Sequence, residues 1–184
     1  LNRQGPKLQI EGLCAGFQAG GTIMIEVDAG QGSPAVTGPD APPLANGDPL
    51  AWHELRPLGP HDARRLRRLD VLPGATPEAP VEIDVYFRDT HVDEHGREKV
   101  VHEYSVTALV DPVTQTVIRS SANAHTLPWE ECIQAEASGD RLAGRPLRGI
   151  RPGVREELVG ITTCTHLNDT LRSVEDVRAI LQLF

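Results

Sequence analysis

The feature that most restricts the fold is a set of three segments in the middle of the chain where apolar and polar residues alternate. Val81 to Phe87 alternates, Lys99 to Val110 reads KVVHEYSVTALV, and Thr116 to Ala122 follows the turn-forming pair Asp111-Pro112. A period of two sends successive side chains to opposite faces of a strand, so each segment has one apolar face to bury. Between the first two lies Asp89 to Gly96, a polar run with a late glycine, which is the composition of a hairpin connection. Three antiparallel strands are therefore expected.

Downstream the pattern changes. Trp129 to Ala137 follows Pro128, carries Glu130 and Glu131 near its start, and has Ile133 and Ala137 four apart. Proline ahead of the first turn and acids at the positive end of the dipole predict a helix, ended by Gly139. Pro152 with Val154 to Val159 predicts a second helix stopped by Gly160. Asn168 to Leu183 predicts a third, with Leu171, Val174, Val177, Ile180 and Leu181 on one side. Strands first and helices last is the order of an α+β fold, an antiparallel β-sheet followed by C-terminal helices packed on it.

The first sixty residues read differently. Leu8 to Ile10 and Gly21 to Val27 look like short strands, with a loop at Gly12 to Gly20 between them. From Gly30 to Pro49, GQGSPAVTGPDAPPLANGDP is too rich in proline and glycine for a regular element. A loop of that length either covers a site or links an N-terminal appendage, and the appendage is the reading preferred. His61 to Leu69, containing Arg64-Arg65-Leu66-Arg67-Arg68, reads as a basic turn of helix with Leu66 and Leu69 facing inward. The chain thus divides into residues 1–60, N-terminal strands and a Pro/Gly-rich loop that can belong to the same domain, and an α+β core over 61–184.

Charge narrows the partners. A formal net charge of -8 opposes sequence-independent nucleic-acid binding, which needs Lys and Arg to neutralise phosphates. No apolar run approaches the roughly 20 residues of a membrane-spanning helix, and Leu1 to Lys7 lack the basic start and apolar core of a signal peptide. A small-molecule substrate or a protein partner and a cytoplasmic address are expected, with no nucleic acid and no membrane; nothing in the pattern specifies an oligomeric state. Cys14, Cys132 and Cys164 are too few and too far apart for the disulfide framework of a small secreted domain.

The run Gly160-Ile-Thr-Thr-Cys164-Thr-His166-Leu-Asn-Asp169 places a thiol and an imidazole two residues apart ahead of a predicted helix. Free N–H groups and a positive dipole end there would lower the thiol's pKa and favour a thiolate, for nucleophilic attack or for metal binding. Cys132, near the start of another predicted helix, and His102, on a central strand, complete a ligand set of zinc type: Cys132, Cys164, His166 and His102. The spacing Cys-x-His is not a zinc-finger signature, and both cysteines can equally be small buried hydrophobes, with His166 satisfying a local backbone group. Among the carboxylates Asp70, Asp84, Asp89, Glu103 and Asp111, Asp70 is singled out as a catalytic candidate beside Cys164 and His166, because it follows the arginine cluster. No phosphate loop, dinucleotide fingerprint, nucleophile elbow or His-Glu-x-x-His helix is present.

Four stretches carry a resemblance: Arg64 to Asp70, Val101-His-Glu-Tyr-Ser105, Leu127-Pro-Trp-Glu-Glu-Cys132, and Thr163-Cys-Thr-His-Leu-Asn-Asp169. Over residues from about 61 to 184 the chain resembles the bacterial domain-of-unknown-function family 2889. That family's motif is Gly-Cys-Thr-His-Leu, preceded by a Pro-x-x-x-Cys segment and a strand histidine, which correspond here to Cys164, His166, Cys132 and His102; Thr163 replaces the glycine. The resemblance implies no activity, but it implies that these two cysteines and two histidines form one recurring pattern. Three functions follow: a small-molecule enzyme, such as a zinc-dependent lyase or hydrolase; a metal-free enzyme using Cys164 as nucleophile or acid; or a non-catalytic subunit or binding module.

Overall fold

The computed structural model describes residues 10–31, 38–41, 53 and 55–183. Its centre is a four-stranded sheet, every neighbouring pair antiparallel, in the order β1 (Ala63–Leu72), β2 (Val81–Val92), β3 (Glu98–Asp111), β4 (Thr116–Thr126). After it come α2 (Ile150–Glu157), α3 (Thr165–Ser173) and α4 (Val177–Ile180), and before it a short α1 (Thr22–Asp28). The architecture is the expected α+β, with the C-terminal helices on the sheet.

Alternation explains the packing. Val81, Ile83, Val85 and Phe87 of β2 and Tyr104, Val106, Ala108 and Val110 of β3 are buried, and they share one core with Ile150, Val154, Leu167, Leu171, Val174 and Val177. Each large apolar side chain so covered contributes roughly 1.5–3 kcal/mol. The strands outrun their apolar segments because side chains satisfy the turns. Asp93 Oδ1 accepts from the N–H groups of His95 and Arg97, both at 2.9 Å, with Gly96 at φ 78°. Asp111 Oδ1 accepts from Val113 and Thr114 at 2.8 and 3.0 Å. The hairpin connection therefore shrinks to the residues after Val92, and Asp89 to Val92 belong to β2.

Three local expectations are overturned. The basic segment is a strand: β1 pairs with β2 along its whole length, from Ala63 opposite His91 to Leu72 opposite Glu82. A spacing of three then puts Leu66 and Leu69 on opposite faces, and it is Leu69 and Val71 that pack on the core. Gly21 to Val27 is not a strand, since Thr22–Asp28 is helical. Its β-branched residues lose to a cap supplied from far along the chain, where Glu131 Oε1 accepts from the Thr22 N–H at 2.7 Å and from its hydroxyl at 2.9 Å.

The segment after Trp129 forms successive 3-10 turns over Glu130–Leu142, not an α-helix, and continues through Gly139. Side chains take carbonyls that an α ladder would use: Ser138 donates to Ala135 at 2.7 Å, and Ser120 of β4 donates to Gly139 at 2.6 Å. Gly139 lies so close to β4 that a Cβ there would meet Ala122 Cβ at 2.5 Å. The second helix begins four residues before its expected start at Val154, and the third divides after Ser173 into a 3-10 turn and α4.

Leu8 and Gln9, and most of the Pro/Gly loop, lie outside the described residues. Of that loop, residues 38–41 run along β3 beyond the point where β4 stops pairing: Val100 N–H donates to Pro39 and Ala41 N–H to Glu98, both at 3.0 Å. A strand edge is thereby covered. Ala15 is buried in the main core and its N–H donates to the Thr163 carbonyl at 2.8 Å, tying the N-terminal segment to the loop that carries Cys164. No helix among the described residues is long and apolar enough to cross a membrane.

Candidate metal centre

Two rows of side chains cross the inner face of the sheet. Arg65, Asp89 and His102 form one, in register across β1, β2 and β3; Arg67, Phe87 and Tyr104 form the next. A bulge follows the first row: Asp89 opposes His102, but Thr90 opposes Val100, leaving Val101 without a partner across the strand. Bulges re-aim side chains beside sites. Here the extra residue turns β3 over, so that His102 shares the inner face with Asp89 while Val100, opposite Thr90, is buried on the other face.

The N-terminus of α3 lies over these rows. Cys164 is its N-cap residue, in extended conformation at φ -129° and ψ 131°, and Asn168 N–H donates to the Cys164 carbonyl at 2.8 Å. Thr163, where the resemblance expects glycine, is buried, has no positive φ, and bonds Gly160's carbonyl through both its N–H (3.1 Å) and its hydroxyl (2.9 Å). A β-branched residue thus fits this loop without strain.

The ligand atoms of His102, Cys164 and His166 all lie within 4.8 Å of one another. The two imidazoles stack, centroids 3.6 Å apart and planes 20° apart, and Cys164 Sγ is 3.8 Å from His166 Nδ1. Tetrahedral zinc with ordinary Zn–S and Zn–N bonds would hold such a sulfur and nitrogen about 3.6 Å apart. His102 Nδ1 is buried with no hydrogen-bond partner. An orphaned buried imidazole nitrogen costs on the order of 1–3 kcal/mol and is what a ligand awaiting an ion looks like.

Electrostatics agree. Burial first, then the neighbouring His166 and Arg65, push the His102 imidazole down to about 3. His166 is likewise lowered by burial, against the opposing pull of Asp89. Both rings are therefore neutral at pH 7 and have lone pairs to give. Cys164 corrects the expectation of an activated thiol. Although the N–H groups of Leu167 and His166 favour its thiolate, burial outweighs them and pushes its pKa up. The Tyr104 hydroxyl, buried without an acceptor in normal hydrogen-bond geometry, stands close enough to Cys164 to favour its ionised form. A metal ion, were one held here, could supply the remaining stabilisation that a buried thiolate needs.

Around this trio sits a supporting shell. His166 Nε2 is 3.5 Å from Asp89 Oδ2, and Asp89 is gripped by Arg65 through Nε at 2.8 Å and Nη2 at 2.7 Å. Arg65 also stacks over Phe87, 5.1 Å from its ring centre. Carboxylates behind ligand histidines fix the ring's orientation and tautomer. Asp169, one turn further along α3, meets Arg172 at 2.8 Å, Arg65 at 3.5 Å and Arg67 at 3.6 Å.

The other two candidates stand apart from the trio. Cys132 is buried nearby, with burial and then Cys164 pushing its thiol up to about 12, but it is outside the set of mutually close ligand atoms. Asp70 alternates with the core-packed Leu69 and Val71, so it faces away from the helices, paired with Arg68 at 2.8 Å. Asp89 was legible as a candidate but not distinguished; its parity with Val81, Ile83, Val85 and Phe87 is the signal that puts a carboxylate on the apolar face. The same parity with Leu69 and Val71 marks Arg65 and Arg67.

A family model described as a protein of unknown function, DUF2889, matches residues 63–180, which include all of the sheet, His102, Cys132, Cys164 and His166. The chain belongs to this family. No curated protein and no solved structure matches it. Membership in DUF2889 therefore brings no activity with it, and chemistry has to come from the site.

The buried imidazole makes one prediction for stability. With chelator present, His102 stays neutral in the folded chain until pH falls to about 3, whereas the unfolded chain takes up that proton near pH 6.5. Stability contributed by the neutral ring is full above pH 6.5 and is lost as pH falls toward 3, by at most about 1.4 kcal/mol per pH unit. Urea midpoints at pH 7 and pH 5 should separate less for His102→Gln than for the unaltered chain; equal separations would contradict a buried neutral ring.

Proposed function

We propose that this chain holds a divalent zinc ion on His102, Cys164 and His166, and that the fourth position serves a hydrolase or lyase reaction on a small molecule. The observation carrying this reading is that ligand atoms of His102, Cys164 and His166 all lie within 4.8 Å of one another, and that His102 Nδ1 is buried without a hydrogen-bond partner. One thiolate and two neutral imidazoles suit zinc in softness, and three protein ligands are the catalytic arrangement. His166 keeps 27% of its side chain accessible, so water or substrate has a route to the open position. There the ion would polarise a carbonyl or lower the pKa of bound water.

The metal-free cysteine enzyme is less favoured, because burial holds Cys164 as a thiol where nucleophilic attack needs thiolate. A closed structural site would require Cys132 to move in as the fourth ligand. Substitution separates the two coordination schemes. Cys132→Ser should retain zinc within about tenfold of the unaltered affinity, while His102→Ala should lose more than the roughly 10–100-fold that a supporting residue costs. Competition against a colorimetric chelator reads both. Equal losses would point to four ligands and a structural ion.

A further inference from the structure

Outside the ligand trio, the sheet edge beside it collects an unusual set of charges for an acidic chain. Arg65 and Arg67 project from the inner face of β1 and Arg172 from the far end of α3, around Asp89 and Asp169. The carboxylates are mostly covered, 14% and 19% accessible, whereas the side chains of Arg65 and Arg67 are 49% and 43% accessible. The negative groups are thus consumed inside and the positive ones look outward.

Three guanidiniums against two carboxylates, beside two neutral imidazoles, leave one positive charge at the mouth, in a chain whose formal net charge is -8. Among the described residues, Arg67 is engaged through Nη1 alone, at 3.2 Å from the Asp169 carbonyl and 3.6 Å from its carboxylate. A guanidinium has five N–H donors in a planar fork, so Arg67 keeps an outward edge that matches a carboxylate. Arg65 shares its carboxylate partner Asp89 with His166, which links the charged rim to the ligand trio.

We propose that this rim is the substrate's anion subsite, and that the enzyme acts on a small organic monocarboxylate whose carboxylate rests on Arg67 and the outer edge of Arg65 while its reacting group reaches the open position beside His166. Without the ion, the surplus of one positive charge favours a monoanion over a phosphate dianion. The inference rests on the metal-centre reading for the reaction, but the binding it predicts does not need the ion.

The test is therefore run on the full chain both with chelator and with zinc, following backbone amide NMR shifts on addition of benzoate, benzamide as its uncharged isostere, or inorganic phosphate. Saturable shifts at Arg65, Arg67, His166 and Asp169 are expected with benzoate and absent with benzamide. Arg67→Gln should weaken benzoate by about tenfold or more, the loss of one charge-assisted hydrogen bond, with the rest of the amide spectrum unchanged. Unaltered affinity in Arg67→Gln, equal binding of benzamide, no saturable benzoate shift, or tighter binding of phosphate with chelator present would each overturn the subsite. Benzoate binding in a chain that takes up no zinc would uphold the subsite and reject the metal centre.

Discussion

Cys164→Ser and His166→Ala should each abolish the proposed stoichiometric zinc binding, weakening it by well over the roughly 100-fold that the loss of a supporting residue can cost. Sulfur is the softest donor in the trio, and Cys164 Sγ and His166 Nδ1 already stand 3.8 Å apart, near the separation that tetrahedral zinc imposes. Replacing sulfur with a hydroxyl removes the only anionic ligand. Replacing the imidazole also unstacks His102, whose ring lies 3.6 Å away. Metal content by elemental mass spectrometry, after equilibration with zinc and gel filtration, reads the effect. Circular dichroism controls for folding, since a buried serine at a 2% accessible position costs stability of its own. Folded variants that keep one zinc per chain would remove both residues from the ligand set.

Phe87→Ala should cost about 3–5 kcal/mol, a large share of the roughly 5–15 kcal/mol that holds a domain together. The ring is completely buried, sits between Arg67 and Tyr104 in register, and lies beneath both the Arg65 guanidinium and the edge of His166. Truncation opens a cavity under the site, so zinc affinity should fall along with stability. Phe87→Leu preserves most of the volume and should cost under about 1.5 kcal/mol. Chemical denaturation with chelator measures the stability difference. A loss below 1 kcal/mol for Phe87→Ala would mean that the sheet and α3 are not packed through this residue.

Much of this arrangement could be read from the chain before any coordinates, and the failures have physical causes. The three alternating segments identified β2, β3 and β4 because one-sided burial imposes a period of two. β1 was hidden because its arginines break the apolar pattern: Arg65 and Arg67 occupy inward positions at the sheet's end, where Asp89 and Asp169 neutralise them. Their parity with Leu69 and Val71 marks them as inward only once the segment is known to be a strand. α1 was hidden for a similar reason, its cap being a glutamate 109 residues away. At the site, the motif around Cys164 and His166 was local and therefore visible, and His102 was chosen from its place on a central strand, with the recurring pattern in support. Asp70 was attractive by proximity in sequence to the arginines, yet strand alternation points it to the other face. Burial also reversed the expected thiol chemistry, since a helix N-terminus favours a thiolate by less than desolvation opposes it.

The central claim is a three-ligand zinc centre with one open position, and X-ray absorption at the zinc edge of the loaded protein tests it most directly. The account predicts one sulfur near 2.3 Å, two imidazole nitrogens near 2.0–2.1 Å and one further light-atom ligand from solvent. Two sulfurs in the shell would place Cys132 on the ion and make the centre closed and structural; a chain that binds no zinc at all would contradict the account outright.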